Sequence, residues 1–321
     1  MSVRAAFWRH PALLTPACVA HHQAGPRWVA RRARLAEHHL HTALRTFTLP
    51  AAIPTSGIAF RDSPPPASLA PWVASYWTLT IAVDSPASRY WVAPDGCTHL
   101  VLHEGRAVVA GPTLAPLERT ARRGASWFGV RLQPGAARAF LALAAQCTLR
   151  GTSLRLEDVP HLAHVAHWAQ TLDTREPLER LVDAASAELA PLVNRAPPPD
   201  PVVAEAIRTI QANASPTIES LGARLGLSSR HFRRRFLAAV DLTPREYARL
   251  WRFRRCVLDL LAGTTSPSAA QAAARGYADQ SHLIREFRRL GGMTPSAFVQ
   301  RLRNVEHHGA WDPSRPEYRR P

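Results

Sequence analysis

Between residues 217 and 299, one pattern of apolar and polar positions with helical spacing occurs twice. The first copy opens with apolar residues three and four positions apart, at Ile218, Leu221 and Leu225. This spacing places them on one face of a short helix. Gly226 follows, and glycine readily adopts the left-handed conformation found at helix ends. The pattern therefore predicts a helix that ends at Gly226.

A second helix is predicted directly after this turn. Ser228 can cap it, because a serine side-chain oxygen accepts a hydrogen bond from a backbone N–H of the first turn. Phe232 and Phe236, four residues apart, mark its inward face. Three arginines project elsewhere, at Arg230, Arg233 and Arg234. The segment is therefore predicted to be a helix-turn-helix whose second helix has a basic outer face.

The second copy follows the same plan. Gly276 predicts the end of a helix, and Asp279 predicts the cap of the next one. Leu283 and Phe287, again four residues apart, mark the inward face of that helix. Its outward positions are Gln280, Ser281, His282 and Arg285.

The two copies also keep a constant separation. Gly226 and Gly276 are 50 residues apart, and after the turn the separation becomes 51, as between Phe236 and Phe287. A Thr-Pro pair follows each copy at this same separation, with threonine suited to cap a further helix and proline to its first turn. Such detailed repetition indicates one supersecondary unit used twice.

The N-terminal half shows short runs rich in β-branched and aromatic residues, separated by Gly and Pro. A helical turn that leads into a strand is predicted within Leu69–Thr80. Further strands are predicted at Ser88–Val92, Thr98–His103, Ala107–Ala110 and Trp127–Leu132. This punctuation indicates a small β-sheet or barrel. Helical patterns follow over Ala137–Ala145 and from Leu154 to Leu192.

These patterns predict an α+β protein. A small β-rich N-terminal regulatory domain is followed by an all-α domain with two helix-turn-helix units joined by a linker helix. We place the β-rich domain with its C-terminal helices at residues 51–193, a Pro-rich linker at 194–201 and the helix-turn-helix domain at 202–302. Residues 303–321 are predicted to be a disordered tail.

Residues 1–50 form a basic extension without a clear period, and we predict disorder because apolar residues are too few to support folding. A start codon assigned too far upstream would also account for this extension. A basic DNA-contacting arm, or a metal patch built on its paired histidines, is the functional alternative.

The net charge of +16 comes from arginine alone, since the chain contains no lysine. Residues 1–50 carry seven arginines and one acid, residues 51–200 thirteen of each, and residues 201–321 twenty arginines and ten acids. The basic excess therefore lies on the helix-turn-helix region and on the extension. Phosphate binding needs such a surface, although a solvated basic face without a partner would give the same count.

The doubled motif resembles the DNA-binding domain of the AraC/XylS family of bacterial transcription regulators. Between the copies, Arg252, Phe253, Cys256 and the pair Leu260-Leu261 occupy positions of that family's linker helix. The resemblance implies that the second helix of each unit enters the major groove of double-stranded DNA. The two helices should then lie about one helical turn apart, roughly 34 Å along the duplex.

Two residues depart from the family pattern. Gly222 stands where a small alanine is usual, which should loosen the first helix slightly. Gln271 stands where the second copy usually has an aliphatic core residue, so the second unit should be less well packed. Neither position is one of those that contact DNA in the family. The resemblance therefore implies that the outward residues on the second helix of each unit contact DNA.

The N-terminal half resembles a domain that precedes the DNA-binding domain in some AraC-type regulators. The resemblance rests on Val92–Leu102, on Gly129–Gly135 and on the Leu69-Ala-Pro-Trp72 segment. It implies a regulatory or sensory domain but names no ligand. We predict a transcription regulator, an activator, that responds to a small-molecule effector and contacts RNA polymerase. A constitutive regulator whose N-terminal domain serves only dimerisation or polymerase contact is the alternative.

The aromatic residues of this half could line a ligand pocket, but we favour core packing. They are Trp72, Tyr76, Trp77, Tyr90, Trp91, Trp127 and Phe128.

One short segment could supply metal ligands. Cys97, His99 and His103 are spaced Cys-x-His-x₃-His and would share one face of a strand. No fourth ligand is indicated, so we predict a core cysteine and ordinary polar histidines, with no metal and no cofactor. Asp95 with Gly96 is predicted to form a turn. Because no nucleophile, phosphate-loop or paired-carboxylate motif occurs, we predict no catalytic residues; a thiol enzyme built on Cys97 is the remote alternative.

The four cysteines show no paired spacing, so neither a disulfide framework nor a zinc knuckle is indicated. No apolar run approaches the ~20 residues that span a bilayer. We therefore predict a cytoplasmic protein without a membrane segment, and a homodimer is possible. An organelle-type basic leader stays open on composition alone.

Overall fold

The structure is a computed structural model that describes residues 58–84, 88–143, 147–159, 162–212, 217–261 and 269–298. The extension predicted at residues 1–50 and the tail predicted at residues 303–321 lie outside the described residues. A β-rich N-terminal region precedes a helical C-terminal region, which confirms the predicted α+β class.

Eight strands form the β-rich region within the described residues. They are β1 (Ile58–Ser63), β2 (Val73–Ile81), β3 (Ser88–Val92), β4 (His99–His103), β5 (Arg106–Ala110), β6 (Leu117–Ala121), β7 (Ser126–Leu132) and β8 (Ser153–Arg155). Six of them form one antiparallel sheet in the order β1-β2-β7-β4-β5-β8, and β3 pairs with β6. The predicted strands are confirmed, whereas β1, β6 and β8 are not predicted from the sequence.

The central strands β2 and β7 set the packing of this sheet. Trp77 lies opposite Gly129 in the register, and a Cβ on Gly129 would come within 2.0 Å of the indole ring. The neighbouring Tyr76 lies against Phe128, with ring centroids 6.1 Å apart. These three aromatic side chains are buried, which confirms the prediction that they belong to the core.

The helices of this region are α1 (Ala137–Phe140), α2 (Ala163–Thr171) and α3 (Leu178–Val193). The helix predicted over Ala137–Ala145 is too long, because Ala142 adopts a φ of +43° that an α-helix cannot continue through. The prediction of helix from Leu154 onward is also wrong at its start. Leu154 lies in β8 and pairs with Val109, an arrangement that long-range strand pairing imposes on this short segment.

The C-terminal region contains both predicted helix-turn-helix units. Its helices are α4 (Pro201–Ala212), α5 (Ile218–Arg224), α6 (Ser229–Val240), α7 (Pro244–Leu261), α8 (Ala269–Ala274) and α9 (Gln280–Gly291). The first unit is α5 with α6, the second is α8 with α9, and α7 is the linker helix. Phe253 of α7 meets Phe287 of α9 with ring centroids 4.9 Å apart, so the linker helix shares its core with the second unit. None of the described helices is long and apolar enough to cross a membrane.

The two regions pack directly against each other. Ala93 of the β-rich region belongs to the same buried apolar cluster as Phe236 and Tyr247 of the helical region. A Cβ on Gly96 would lie 2.9 Å from the Leu250 side chain of α7. The backbone after β3 therefore approaches the linker helix as closely as a glycine allows.

Candidate nucleic-acid interface

A tight turn positions α6. Gly226 has a φ of +68°, and the Leu227 N–H donates to the carbonyl oxygen of Gly222 at 3.0 Å. The Ser228 hydroxyl then accepts a hydrogen bond from the His231 N–H at 3.3 Å. Both the glycine turn and the serine cap are confirmed. Together they fix the angle at which α6 leaves α5.

The inner face of α6 is apolar and its outer face is basic. Phe232 and Phe236 are fully buried, and Phe236 packs edge-on against Tyr247 of α7. The candidate DNA-contacting residues of this helix, all exposed, are Arg230, Arg233 and Arg234. Within the described residues, Arg230 and Arg234 have no hydrogen-bond or ion-pair partner. The structure therefore leaves these two guanidinium groups open to solvent.

Arg233 has a partner on the other helix of the same unit. Its Nη2 lies 2.8 Å from Oε1 of Glu219, near the start of α5. The two side chains are 57% and 64% exposed, so this ion pair contributes ~0–1 kcal/mol. A phosphate could replace Glu219 at little cost in free energy.

The second unit repeats this geometry. Gly276 has a φ of +74°, and the Asp279 carboxylate accepts a hydrogen bond from the His282 N–H at 2.6 Å. The predicted turn and cap are again confirmed. The exposed candidate residues at this end of α9 are Gln280, Ser281 and Arg285.

His282 differs from the other candidates because it is half-buried and helps to hold the turn. Its Nδ1 accepts a hydrogen bond from the Ala278 N–H at 3.3 Å, and its ring meets Tyr277 edge-on with centroids 5.4 Å apart. With Nδ1 accepting, the hydrogen of a neutral imidazole lies on Nε2. Nε2 is thus left as a donor for a phosphate or a base.

Two arginines of α7 hold the second unit in place. Arg249 forms a bidentate pair with Glu286 of α9, in which its Nε lies 2.8 Å from Oε2. Burial raises the pKa of Glu286, but the hydrogen bonds and charge of Arg249 outweigh burial and leave this pKa lowered. Arg252 donates to the Gly276 carbonyl oxygen at 2.7 Å and lies over the Tyr277 ring. The linker helix thus fixes both the turn and the body of α9.

Arg252 is predicted above only as a linker-helix position, and the positioning role of Arg249 and Arg252 is not predicted from the sequence. The available signal was Glu286, because a carboxylate beside the inward-facing Phe287 needs a cationic partner.

Arg235 lies on α6 but is not available to DNA in the same way. Its guanidinium forms two bonds to the Asp200 carboxylate, at 2.5 and 2.9 Å. Asp200 in turn accepts the N–H of Val202 at the start of α4, at 2.9 Å. Arg235 therefore ties α6 to α4.

The two departures from the family pattern have different outcomes. A Cβ on Gly222 would lie 3.3 Å from the Leu227 carbonyl oxygen, so the glycine suits a close turn. The Gln271 side chain lies outside the described residues, as do those of Leu260 and Leu261. The expectation of looser packing in the second unit stays a prediction.

The structure does not gather Cys97, His99 and His103 into a metal site. Cys97 precedes β4, and its N–H donates to Oδ1 of Asp95 at 2.8 Å. His99 bonds the other oxygen of Asp95 at 3.0 Å, whereas His103 stacks on Trp127. The part of the chain that the structure describes holds no group of three or more potential metal ligands.

Asp95 does more than form the predicted turn, because it lies in a buried group of charges between the two regions, with Arg131 of β7 and Arg254 of α7. Arg131 of β7 is fully buried, and its Nη1 donates to the Ser75 hydroxyl at 2.5 Å. Burial lowers the pKa of Arg131 to about 9, although the charge of Asp95 opposes this shift. Burial also raises the pKa of the Cys97 thiol, and Asp95 adds to that shift. A protonated, buried thiol is a poor nucleophile.

Comparisons with known proteins agree with this geometry. Residues 61–151 match the family described as "Domain of unknown function (DUF6597)", and residues 221–301 match the family described as "Helix-turn-helix domain". An AraC-like transcription regulator of Streptomyces antibioticus is 35% identical over 123 residues. That match covers 38% of this chain and 38% of the relative.

Among solved structures, ToxT from Vibrio cholerae O395 is 11% identical, with a TM-score of 0.37 and coverage of 77% of this chain and 97% of ToxT. A second crystal form of ToxT gives 10% identity, a TM-score of 0.38 and coverage of 77% and 99%. Likeness at this level supports no inference about this chain. The two domain matches and the described helices instead show that the chain joins a DUF6597 domain to a helix-turn-helix domain.

Proposed function

We propose that α6 and α9 each enter a major groove of double-stranded DNA and together recognise one extended site. The observation that carries the proposal is that two copies of one unit expose equivalent helices with polar or basic outer faces. The proposed contacts are Arg230, Arg233, Arg234, Gln280, Ser281, His282 and Arg285.

The chemistry of these side chains supports sequence recognition. Arginine can bond the O6 and N7 atoms of guanine, and glutamine the N6 and N7 atoms of adenine, each good pair contributing ~1–3 kcal/mol of discrimination. Some of the arginines will hold phosphates, which fixes the position of the protein without selecting a sequence. The exposed side chains of the two helices are therefore of two kinds, those that contact bases and those that contact phosphates.

The DUF6597 region is proposed to regulate this binding in response to a small molecule. Support comes from its direct packing on the helical region around Tyr247 and Leu250. If a ligand acts through it, that ligand will raise the melting temperature of the protein and change its DNA affinity. A constitutive regulator, in which this region serves dimerisation or polymerase contact, will show neither effect with any ligand tested.

The test of DNA recognition is selection of bound duplexes from a random pool by the full-length protein at physiological salt. Recovery of two short motifs about one helical turn apart, roughly 34 Å, is the expected result. Recovery of a single motif would make α9 a backbone clamp. A pool without enrichment, from a protein that is folded by circular dichroism, would count against sequence-specific binding.

A further inference from the structure

The two helix-turn-helix units differ at the residue that ends the second helix of each unit, which is called the recognition helix below. Asp241 ends α6, and the residue 51 positions later, Gly292, ends α9. Both adopt the left-handed conformation, with φ of +59° and +72°. Glycine takes this conformation without strain, whereas an aspartate does so at a cost in free energy.

Asp241 would destabilise the end of an isolated helix. Its carboxylate lies at the negative end of the helix dipole, where anions are unfavourable. The residue is also only 5% exposed, and a buried carboxylate destabilises a protein unless it has partners. The first unit therefore needs interactions that stabilise the Asp241 carboxylate, whereas Gly292 of the second unit needs none.

All three hydrogen-bond donors to this carboxylate within the described residues come from the β-rich region. Its Oδ1 accepts Nη2 of Arg138 at 2.9 Å, the Thr148 hydroxyl at 3.3 Å and the Leu149 N–H at 3.4 Å. These donors lie in or after α1. The end of the first recognition helix is thus completed by another domain.

A second carboxylate of the first unit shows the same asymmetry. Glu246, in the first turn of α7, lies 2.7 and 3.2 Å from the guanidinium of Arg150. The position 51 residues later is Ala297, which has no charge. Glu246 also accepts the Thr243 N–H at 2.9 Å, so it caps α7 and contacts the β-rich region at once.

We infer that Arg138, Thr148, Leu149 and Arg150 form a clasp that docks on the first helix-turn-helix unit through Asp241 and Glu246. The second unit carries glycine and alanine at the matching positions and has no equivalent anchor among the described residues. Arg230 and Arg234 of α6 stay open to solvent while the clasp is docked. A conformational change in the DUF6597 region would therefore alter the last turn of α6 and, through it, the affinity for DNA. This consequence rests on the proposed function.

Hydrogen exchange of the full-length protein, followed by mass spectrometry, tests the clasp without DNA. Arg138→Gln removes the charged donor, and we expect on the order of tenfold faster exchange in peptides covering residues 237–242, since bonds to charged groups are the stronger ones. The matching peptide at residues 288–293 should not change and serves as an internal control. Arg155→Gln is the matched control variant, because within the described part of the chain the Arg155 guanidinium pairs only with Glu157 and Asp158 of its own region.

Asp241→Gly gives the first unit the residue of the second unit and keeps the test valid if Arg138→Gln misfolds. It should leave the end of α6 protected, because glycine needs no partner there, while peptides covering residues 137–151 exchange faster. Equal changes in both units, or no change at residues 237–242 and 137–151, would overturn the clasp. Binding to the selected DNA is measured in parallel. A protein that shows the exchange pattern but binds no DNA would refute the proposed function and leave the clasp standing.

Discussion

Replacing Arg249 with methionine tests whether the linker helix positions the second unit. The substitution leaves the Glu286 carboxylate without its bidentate partner at a site where the Glu286 side chain is 8% exposed. Breaking a fully buried ion pair costs ~3–5 kcal/mol. Because the Arg249 side chain is 26% exposed, water can reach part of the site, and we expect a loss of ~2–4 kcal/mol in the free energy of unfolding.

Urea unfolding followed by circular dichroism measures this loss. The matched control is Arg208→Met, which removes an ion pair of α4 with Glu205 whose side chains are 65% and 45% exposed. That surface pair should contribute ~0–1 kcal/mol. If the two variants lose the same free energy within about 0.5 kcal/mol, the pair between Arg249 and Glu286 does not hold the second unit.

Three further outcomes are expected. Arg285→Ala should weaken binding to the selected site by ~1–3 kcal/mol in fluorescence anisotropy, and an equal loss on random DNA would make it a phosphate contact. Gly129→Ala should lower the melting temperature markedly, because its Cβ would overlap the Trp77 ring at 2.0 Å, and an unchanged temperature would disprove that packing. For Asp200, burial raises the pKa but the bonds from Arg235 and the α4 backbone outweigh it and leave the pKa lowered. The stabilisation by Asp200 is therefore complete above the unfolded pKa of ~3.9 and disappears as pH falls through the lower folded pKa. The variant Asp200→Asn should have a lower free energy of unfolding than wild type at pH 7, and the two values should converge in acid.

The helix-turn-helix units could be predicted because their determinants are local. Gly226 and Ser228 act within a few residues of their own positions, through a positive φ and a cap to the next turn. The spacing of Phe232 and Phe236 likewise depends only on helix geometry. Repetition of the same signals around Gly276 removed the ambiguity of any single motif.

The determinants that could not be predicted from the sequence are long-range contacts. Strand β8 exists because it pairs with β5, some 45 residues earlier in the chain, and its three residues carry no period of their own. The buried role of Asp95 depends on His99 and on two buried arginines, Arg131 of β7 and Arg254 of α7. Partners so far apart in the sequence leave no local pattern.

The two units are held by different neighbours, and this separation has a measurable consequence. Arg138 binds the Asp241 carboxylate at the end of α6 from the β-rich region, whereas Arg249 binds the Glu286 carboxylate in the middle of α9 from the linker helix. Energies of sites without shared partners add within ~0.3–0.5 kcal/mol. The double variant Arg138→Gln with Arg249→Met should therefore lose the sum of the single losses in unfolding. On the selected DNA, each single variant should weaken recognition of one half of the site. A loss spread equally over both halves by either variant would mean that the linker helix transmits the disturbance and that the units do not act separately.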